Sequence, residues 1–250
     1  MQHQDGHSHL TTTTIPNCVA YDPCYAYELA VIIQDGLRRM YQEGESIFYY
    51  VTVMNENYLQ PEMPEASREG IIKGMYALQG SASKAQVQLL GSGTILREVI
   101  AAADLLATDF NIASQVWSVT SFSELRKDGL AKQRWNLLHP QEPARKAYVD
   151  ECLDATRGPV IAASDYMKIV SDQIRPFLSA KRSYTVLGTD GFGRSDRRSE
   201  LRRFFEVDRH YVAYTALKAL ADSGDIPVST VLDAMQRYGI DPEKPDPTTV

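Results

Sequence analysis

Within its first nine residues the chain carries His3, Asp5, His7 and His9. Imidazole titrates near neutral pH and can give or take a proton. Such a cluster therefore suits acid–base work, or the holding of a carbonyl or carboxylate substrate. In an extended loop His7 and His9 would point the same way, and Gly6 would permit a sharp turn beside them. The same side chains could in principle bind a divalent metal. Their spacing matches no strong zinc pattern, however, and no distant set of Cys or His completes one. A second candidate is Thr189-Asp190-Gly191-Phe192-Gly193-Arg194-Ser195-Asp196. It follows a strand-like run, two glycines free its backbone, and Arg194 could pair with an anion or partner beside Asp190. The alternative of equal weight is an ordinary loop in which Ser195 or Asp196 caps the next helix. Gly91-Ser92-Gly93 has the look of a phosphate turn, but position 96 is Leu, so GxGxxG is incomplete. Tight strand-to-helix packing is the better reading there. There is no P-loop and no Gly-x-Ser-x-Gly.

These residues need elements to position them. Asp22 and Pro23 read as the N-cap and first residue of a helix running to about residue 41. Residues 47–54 read as a buried strand, and two prolines with polar neighbours make 58–65 a linker. The second half alternates. Strands are expected at 86–90, 115–120, 159–163 and 184–187. Helices are expected at 94–108, from Phe122 behind a Ser121/Glu124 capping box, at 165–178, from about 196 to 205, from Asp208 to Gly224, and at 229–239. Alternation of this kind implies an α/β fold with a largely parallel sheet and helices on both faces. His139-Pro140 with Trp135 reads as a surface turn holding a packed aromatic, and His210 as structural.

Composition narrows the classes. The chain has 250 residues, 44% hydrophobic and 23% charged, with a formal net charge of −6. That is ordinary for a globular protein. The basic clusters are short and lie among acids, so no nucleic-acid partner is expected. Three cysteines without a CxxC pair argue against a disulfide scaffold or a zinc ribbon. No signal peptide is visible, and the longest apolar runs fall far short of the ~20 residues of a membrane helix. A cytoplasmic location without membrane contact is the default. Few domains open inside a dense polar motif, so the chain reads as the tail of a longer polypeptide.

Several motifs together are more specific. They are Gln2-His3-Gln4-Asp5-Gly6-His7-Ser8-His9, Ile15-Pro16-Asn17-Cys18, Asn55-Glu56-Asn57-Tyr58, Leu90-Gly91-Ser92-Gly93, Arg134-Trp135-Asn136, Leu138-His139-Pro140, Asp165-Tyr166-Met167-Lys168, Val186-Leu187 with the Gly188–Asp196 loop, and Phe205-Glu206-Val207-Asp208. In this order, over nearly the whole chain, the sequence resembles the homodimeric bacterial pyruvate dehydrogenases, among the transketolase-like thiamin diphosphate enzymes. The resemblance implies that residues 1–62 are the end of a pyrimidine-binding α/β domain. Residues 63–250 would be a transketolase-like C-terminal domain. It implies a complete enzyme that decarboxylates pyruvate with thiamin diphosphate and Mg²⁺ and reductively acetylates the lipoyl group of dihydrolipoyl acetyltransferase. Its partners would be the second subunit of a homodimer and that acyltransferase. The family's metal motif and cofactor-activating glutamate would lie outside this segment, so no bound cofactor or metal is expected for this chain alone. His3 corresponds to the family's active-site histidine, with Asp5, His7 and His9 as support for its loop. Gln4 departs from the family's usual Glu and removes a charge beside His3. The alternative is a stand-alone assembly or regulatory module that kept the fold and lost the chemistry.

Overall fold

The computed structural model describes residues 6–180 and 182–250. It begins with a short helix, α1 (Ser8–Thr12), and a two-stranded parallel sheet of β1 (Cys18–Tyr21) and β2 (Phe48–Val51). The crossover between them is α2 (Ala26–Leu37), which ends in a π-turn over Arg38–Gln42. The segment after β2 leads to α3 (Arg68–Lys73) and then to a five-stranded sheet. Its strands are β3 (Met75–Gln79), β4 (Val87–Gly91), β5 (Ser114–Val119), β6 (Val160–Ala163) and β7 (Tyr184–Leu187). They lie in the order β3-β5-β4-β6-β7, all parallel except β3, which runs antiparallel to β5.

The central strands are buried on both faces, as parallel strands covered by helices must be. Alternate side chains serve opposite layers. Val87, Leu89, Ile161 and Ala163 pack with α4 (Ile95–Phe110), α9 (Arg209–Asp222) and α10 (Val228–Arg237). Leu90, Val160 and Ala162 pack with α5 (Phe122–Leu138), α6 (Tyr148–Asp154) and α7 (Lys168–Asp172). A third apolar cluster joins the two sheets: Val19, Tyr21, Val31 and Ile32 meet Ile71 and Tyr76. The α/β architecture with helices on both faces is therefore as expected from the sequence.

Three local expectations are corrected. The edge strand β3 was not anticipated. It starts behind Gly74, whose φ of +107° ends α3 and whose Cβ would strike the Ser121 carbonyl at 2.6 Å. The helix expected over 165–178 is confined to α7 and a 3-10 turn at Arg175–Phe177. Before α7 the backbone is held by neighbours: Met167 N–H donates to Gly6 O (2.9 Å), and Tyr166 O accepts from Thr189 N–H (2.9 Å). The helix expected from an Asp22 cap starts three residues later. Glu28 Oε2 accepts from the N–H groups of Cys24 (2.6 Å) and Tyr25 (2.9 Å), which makes Tyr25 the N-cap and releases Asp22. Two other caps agree with expectation. Ser121 Oγ accepts from Glu124 N–H, and Asp208 Oδ1 from Tyr211 N–H.

Candidate functional site

In the five-stranded sheet, β5 lies on one side of β4 and β6 on the other. The crevice beyond the carboxyl ends of β4 and β6 is thus the switch point at which open α/β sheets receive ligands. Here it receives Asp22, delivered from the end of β1. The Asp22 side chain accepts from Ser92 Oγ at Oδ2 (2.6 Å) and from Thr52 Oγ1 at Oδ1 (2.7 Å), with Tyr166 OH at 3.5 Å from Oδ1. Its backbone is also engaged: N–H donates to Thr120 O (2.8 Å), and O accepts from Gly93 N–H (3.0 Å). A Cβ on Gly93 (φ +49°) would sit 2.4 Å from the carboxylate, and one on Gly91 2.7 Å from Leu96 Cα. The glycine-rich turn therefore serves close packing, as the sequence suggested, and cradles a carboxylate of its own chain where a phosphate would lie.

The histidine segment borders this crevice. His3 and Asp5 lie outside the described residues. His7 is the exposed N-cap of α1, whereas His9, two residues on, is buried (4% exposed). The expectation that they point the same way is corrected, because residues two apart on a helix face nearly opposite directions. His9 Nε2 lies 2.9 Å from Thr52 Oγ1, and its ring meets those of Tyr50 and Tyr166 edge-on at 5.4 and 4.7 Å.

The loop after β7 joins the same region through its first residue, since Thr189 Oγ1 donates to Asp165 O (3.0 Å). Asp190 is half-buried, 3.9 Å from Lys168 Nζ, beside a cleft of about 200 Å³ that the C-terminal residues Asp246, Pro247 and Thr248 help to line. Arg194 is exposed and lies over the Phe204 ring at 5.2 Å. The two thus have separate contacts. Neither Ser195 nor Asp196 caps α8 (Arg198–Phe204): Arg197 occupies that position, without a side-chain cap. Trp135 stacks on His139 at 4.4 Å with Arg145 over it, as the surface-turn reading required.

Sequence reasoning missed Asp22, Thr52, Ser92 and Tyr166, which come together only when the sheets dock. It also missed Asp165. Among the described residues the Oδ1 atom of Asp165 is buried with no hydrogen-bond partner. Burial, helped by the nearby Asp22 charge, pushes this carboxyl up to about 6 against the pull of Arg202 and Arg198. Among the described residues no group of three or more His, Cys, Asp or Glu side chains is arranged to hold a metal ion. No helix there is long and apolar enough to cross a membrane.

A parallel sheet with one antiparallel edge, docked through its switch point onto a two-stranded α/β piece, defines the class. The chain belongs to the transketolase-like C-terminal domain family, whose profile matches residues 74–208. Residues 1–61 match the pyruvate dehydrogenase E1 component middle domain. Over 249 residues, 99% of this chain, it is 62% identical to the pyruvate dehydrogenase E1 component of Pseudomonas aeruginosa, and 52% identical to that of Escherichia coli K12. It is 54% identical over 253 residues to the same component of Cupriavidus necator. The chain spans 28% of the length of each of these relatives. Solved transketolases share the fold. One from Pichia stipitis, in complex with sedoheptulose 7-phosphate, has a TM-score of 0.62 at 17% identity, covering 89% of this chain and 28% of that one. One from Leishmania mexicana has 0.58 at 18%, covering 99% and 29%.

Proposed function

We propose that this chain is the C-terminal part of a pyruvate dehydrogenase first component. The observation that carries this reading is the 62% identity over 99% of the chain. The complete enzyme decarboxylates pyruvate and reductively acetylates the lipoyl group of dihydrolipoyl acetyltransferase. It works in the bacterial cytoplasm as a homodimer, and thiamin diphosphate with Mg²⁺ supplies the carbanion chemistry. Among the described residues the glycine-rich turn is filled by Asp22, so that turn is not a diphosphate cradle. In this reading residues 1–62 end the pyrimidine-binding domain and 63–250 form the C-terminal domain. His3 handles the substrate or its protons, and Asp5, His7 and His9 support its segment. Asp190 and Arg194 belong to a loop that meets a partner or an anion.

The test compares the 250-residue chain with the complete polypeptide in pyruvate-dependent dye reduction. Activity is expected only from the complete polypeptide. Turnover by the 250-residue chain alone would overturn the fragment reading. A complete protein that ignored pyruvate and turned over sugar phosphates would overturn the substrate. A native product near 28.0 kDa would favour the assembly-module alternative.

A further inference from the structure

The Asp22 cradle also fixes a histidine. Thr52 has one hydroxyl proton and three possible acceptors in reach: Asp22 Oδ1 at 2.7 Å, an unprotonated His9 Nε2 at 2.9 Å, and Tyr21 O at 3.4 Å. The shorter, charge-assisted bond takes the proton. Thr52 Oγ1 must then accept in its 2.9 Å contact with His9 Nε2, so the imidazole carries its proton on Nε2. The ring is buried and wedged between Tyr50 and Tyr166, and this bond turns its Nε2 edge toward Thr52. Asp22 is itself held from both sides, by Ser92 Oγ and Gly93 N–H at the end of β4 and by Thr120 O at the end of β5. An unbroken hydrogen-bonded path thus runs from the carboxyl edge of the large sheet, through Asp22 and Thr52, to His9 in α1. The residue before His7 is tied to the same edge by Gly6 O and Met167 N–H.

We propose that Asp22, acting through the Thr52 hydroxyl, holds His9 as the Nε2–H tautomer and thereby positions residues 6–9 of the histidine segment for the reaction of the complete enzyme. Asp22 and Thr52 are positioning residues. The proposal rests on the function proposed above for that segment. It assigns the Gly91-Ser92-Gly93 turn to the seating of an internal carboxylate and leaves no room there for a phosphorylated ligand.

The test uses the complete enzyme with Thr52→Val, which keeps the shape and removes the hydroxyl, Thr52→Ser, which keeps the hydroxyl, and Asp22→Asn. Two readouts are taken, with the melting temperature as control. The first is hydrogen–deuterium exchange of residues 6–13 by mass spectrometry, and the second is kcat and KM for pyruvate. Thr52→Val is expected to speed exchange in that segment and to lower kcat about 10- to 100-fold with little change in KM, as displacement of a catalytic segment does. Thr52→Ser is expected to restore both, and Asp22→Asn to behave like Thr52→Val. Unchanged exchange in Thr52→Val overturns the relay, whatever the activity. Faster exchange with unchanged kcat overturns the positioning role. A Thr52→Ser enzyme as impaired as Thr52→Val shows that the methyl group matters and the hydroxyl does not, which also overturns it. If Thr52→Val fails to fold, Asp22→Asn decides by the same readouts. A wild-type complete enzyme without pyruvate activity overturns the function reading and its positioning claim together, and exchange alone then decides the relay.

Discussion

Two aspartates at the end of neighbouring elements are treated in opposite ways. Asp22 is buried among donors, and Asp165 has a buried oxygen with none among the described residues. An orphaned acceptor in a low-dielectric site favours the protonated acid, which is why burial raises Asp165 to about 6 from an ordinary 3.8. The sign of the linkage follows. Between about pH 4 and 6 the unfolded chain releases this proton while the folded chain keeps it, so stability falls as pH rises through that window. Asp165→Asn removes the penalty. Urea titrations of the chain are expected to show the variant more stable by about 1–3 kcal/mol at pH 7 and no different below pH 4. Equal stability of the two proteins at pH 7 would show that the carboxylate has a partner in solution.

Among the elements, the seam between the small and large sheets depends on Glu28. This fully buried side chain on α2 accepts from Cys24 N–H and Tyr25 N–H on its own segment. It also accepts from Tyr76 OH (2.7 Å) on β3 and Ser118 Oγ (2.5 Å) on β5. Burial raises its pKa, yet all four contacts are donors and call for the charged form. Glu28→Gln puts an amide N–H₂ among donors and leaves some of them unpaired. A loss of about 2–4 kcal/mol in chemical denaturation is expected. An unchanged midpoint would remove Glu28 as the anchor of the seam. A second tie is Arg202 on α8, which bonds Glu56 after β2 and Glu98 on α4. The segment read from its prolines as a linker is thus partly strapped to the large domain. Gln60 Oε1 accepts from Ala26 N–H at the start of α2, and Arg97 lies 4.3 Å over the Tyr58 ring.

Across the whole molecule the two sheets are unequally covered. The five-stranded sheet is enclosed by helices. The two-stranded sheet leaves Phe48 44% exposed, and the neighbouring α2 region shows Ile33 at 50%, Leu37 at 53% and Tyr41 at 81%. Two strands alone make a marginal sheet, and exposed apolar side chains of this kind seek a cover. The 250-residue chain is expected to self-associate. Light scattering should give masses above 28.0 kDa that fall toward that value in an Ile33→Glu/Leu37→Glu variant. A clean monomer in the unmodified chain would count against this account.

How much of this was legible beforehand depended on the range of the forces involved. The four parallel strands and most of the helices could be read from the residues, because β-branched runs, helical spacing and caps such as Ser121 and Asp208 act within a few residues. The family could also be read, because its motifs keep their order along the chain. The start of α2 and the extent of α7 were misread. Glu28 caps Cys24 and Tyr25 while Thr120, about a hundred positions along the chain, accepts from Asp22 N–H, and the start of α7 is fixed by the long-range bond from Met167 to Gly6. The edge strand β3 was missed for a related reason, since its pairing partner lies some forty positions along the chain. The site divides in the same way. The histidine cluster and the glycine-rich turn are visible as residue types. That a carboxylate fills the turn, that Thr52 donates its hydroxyl hydrogen bond to that carboxylate, and that His9 turns inward while His7 faces water were decided only by tertiary structure. Burial and hydrogen-bond direction belong to the assembled sheets, and the local sequence carries no record of them.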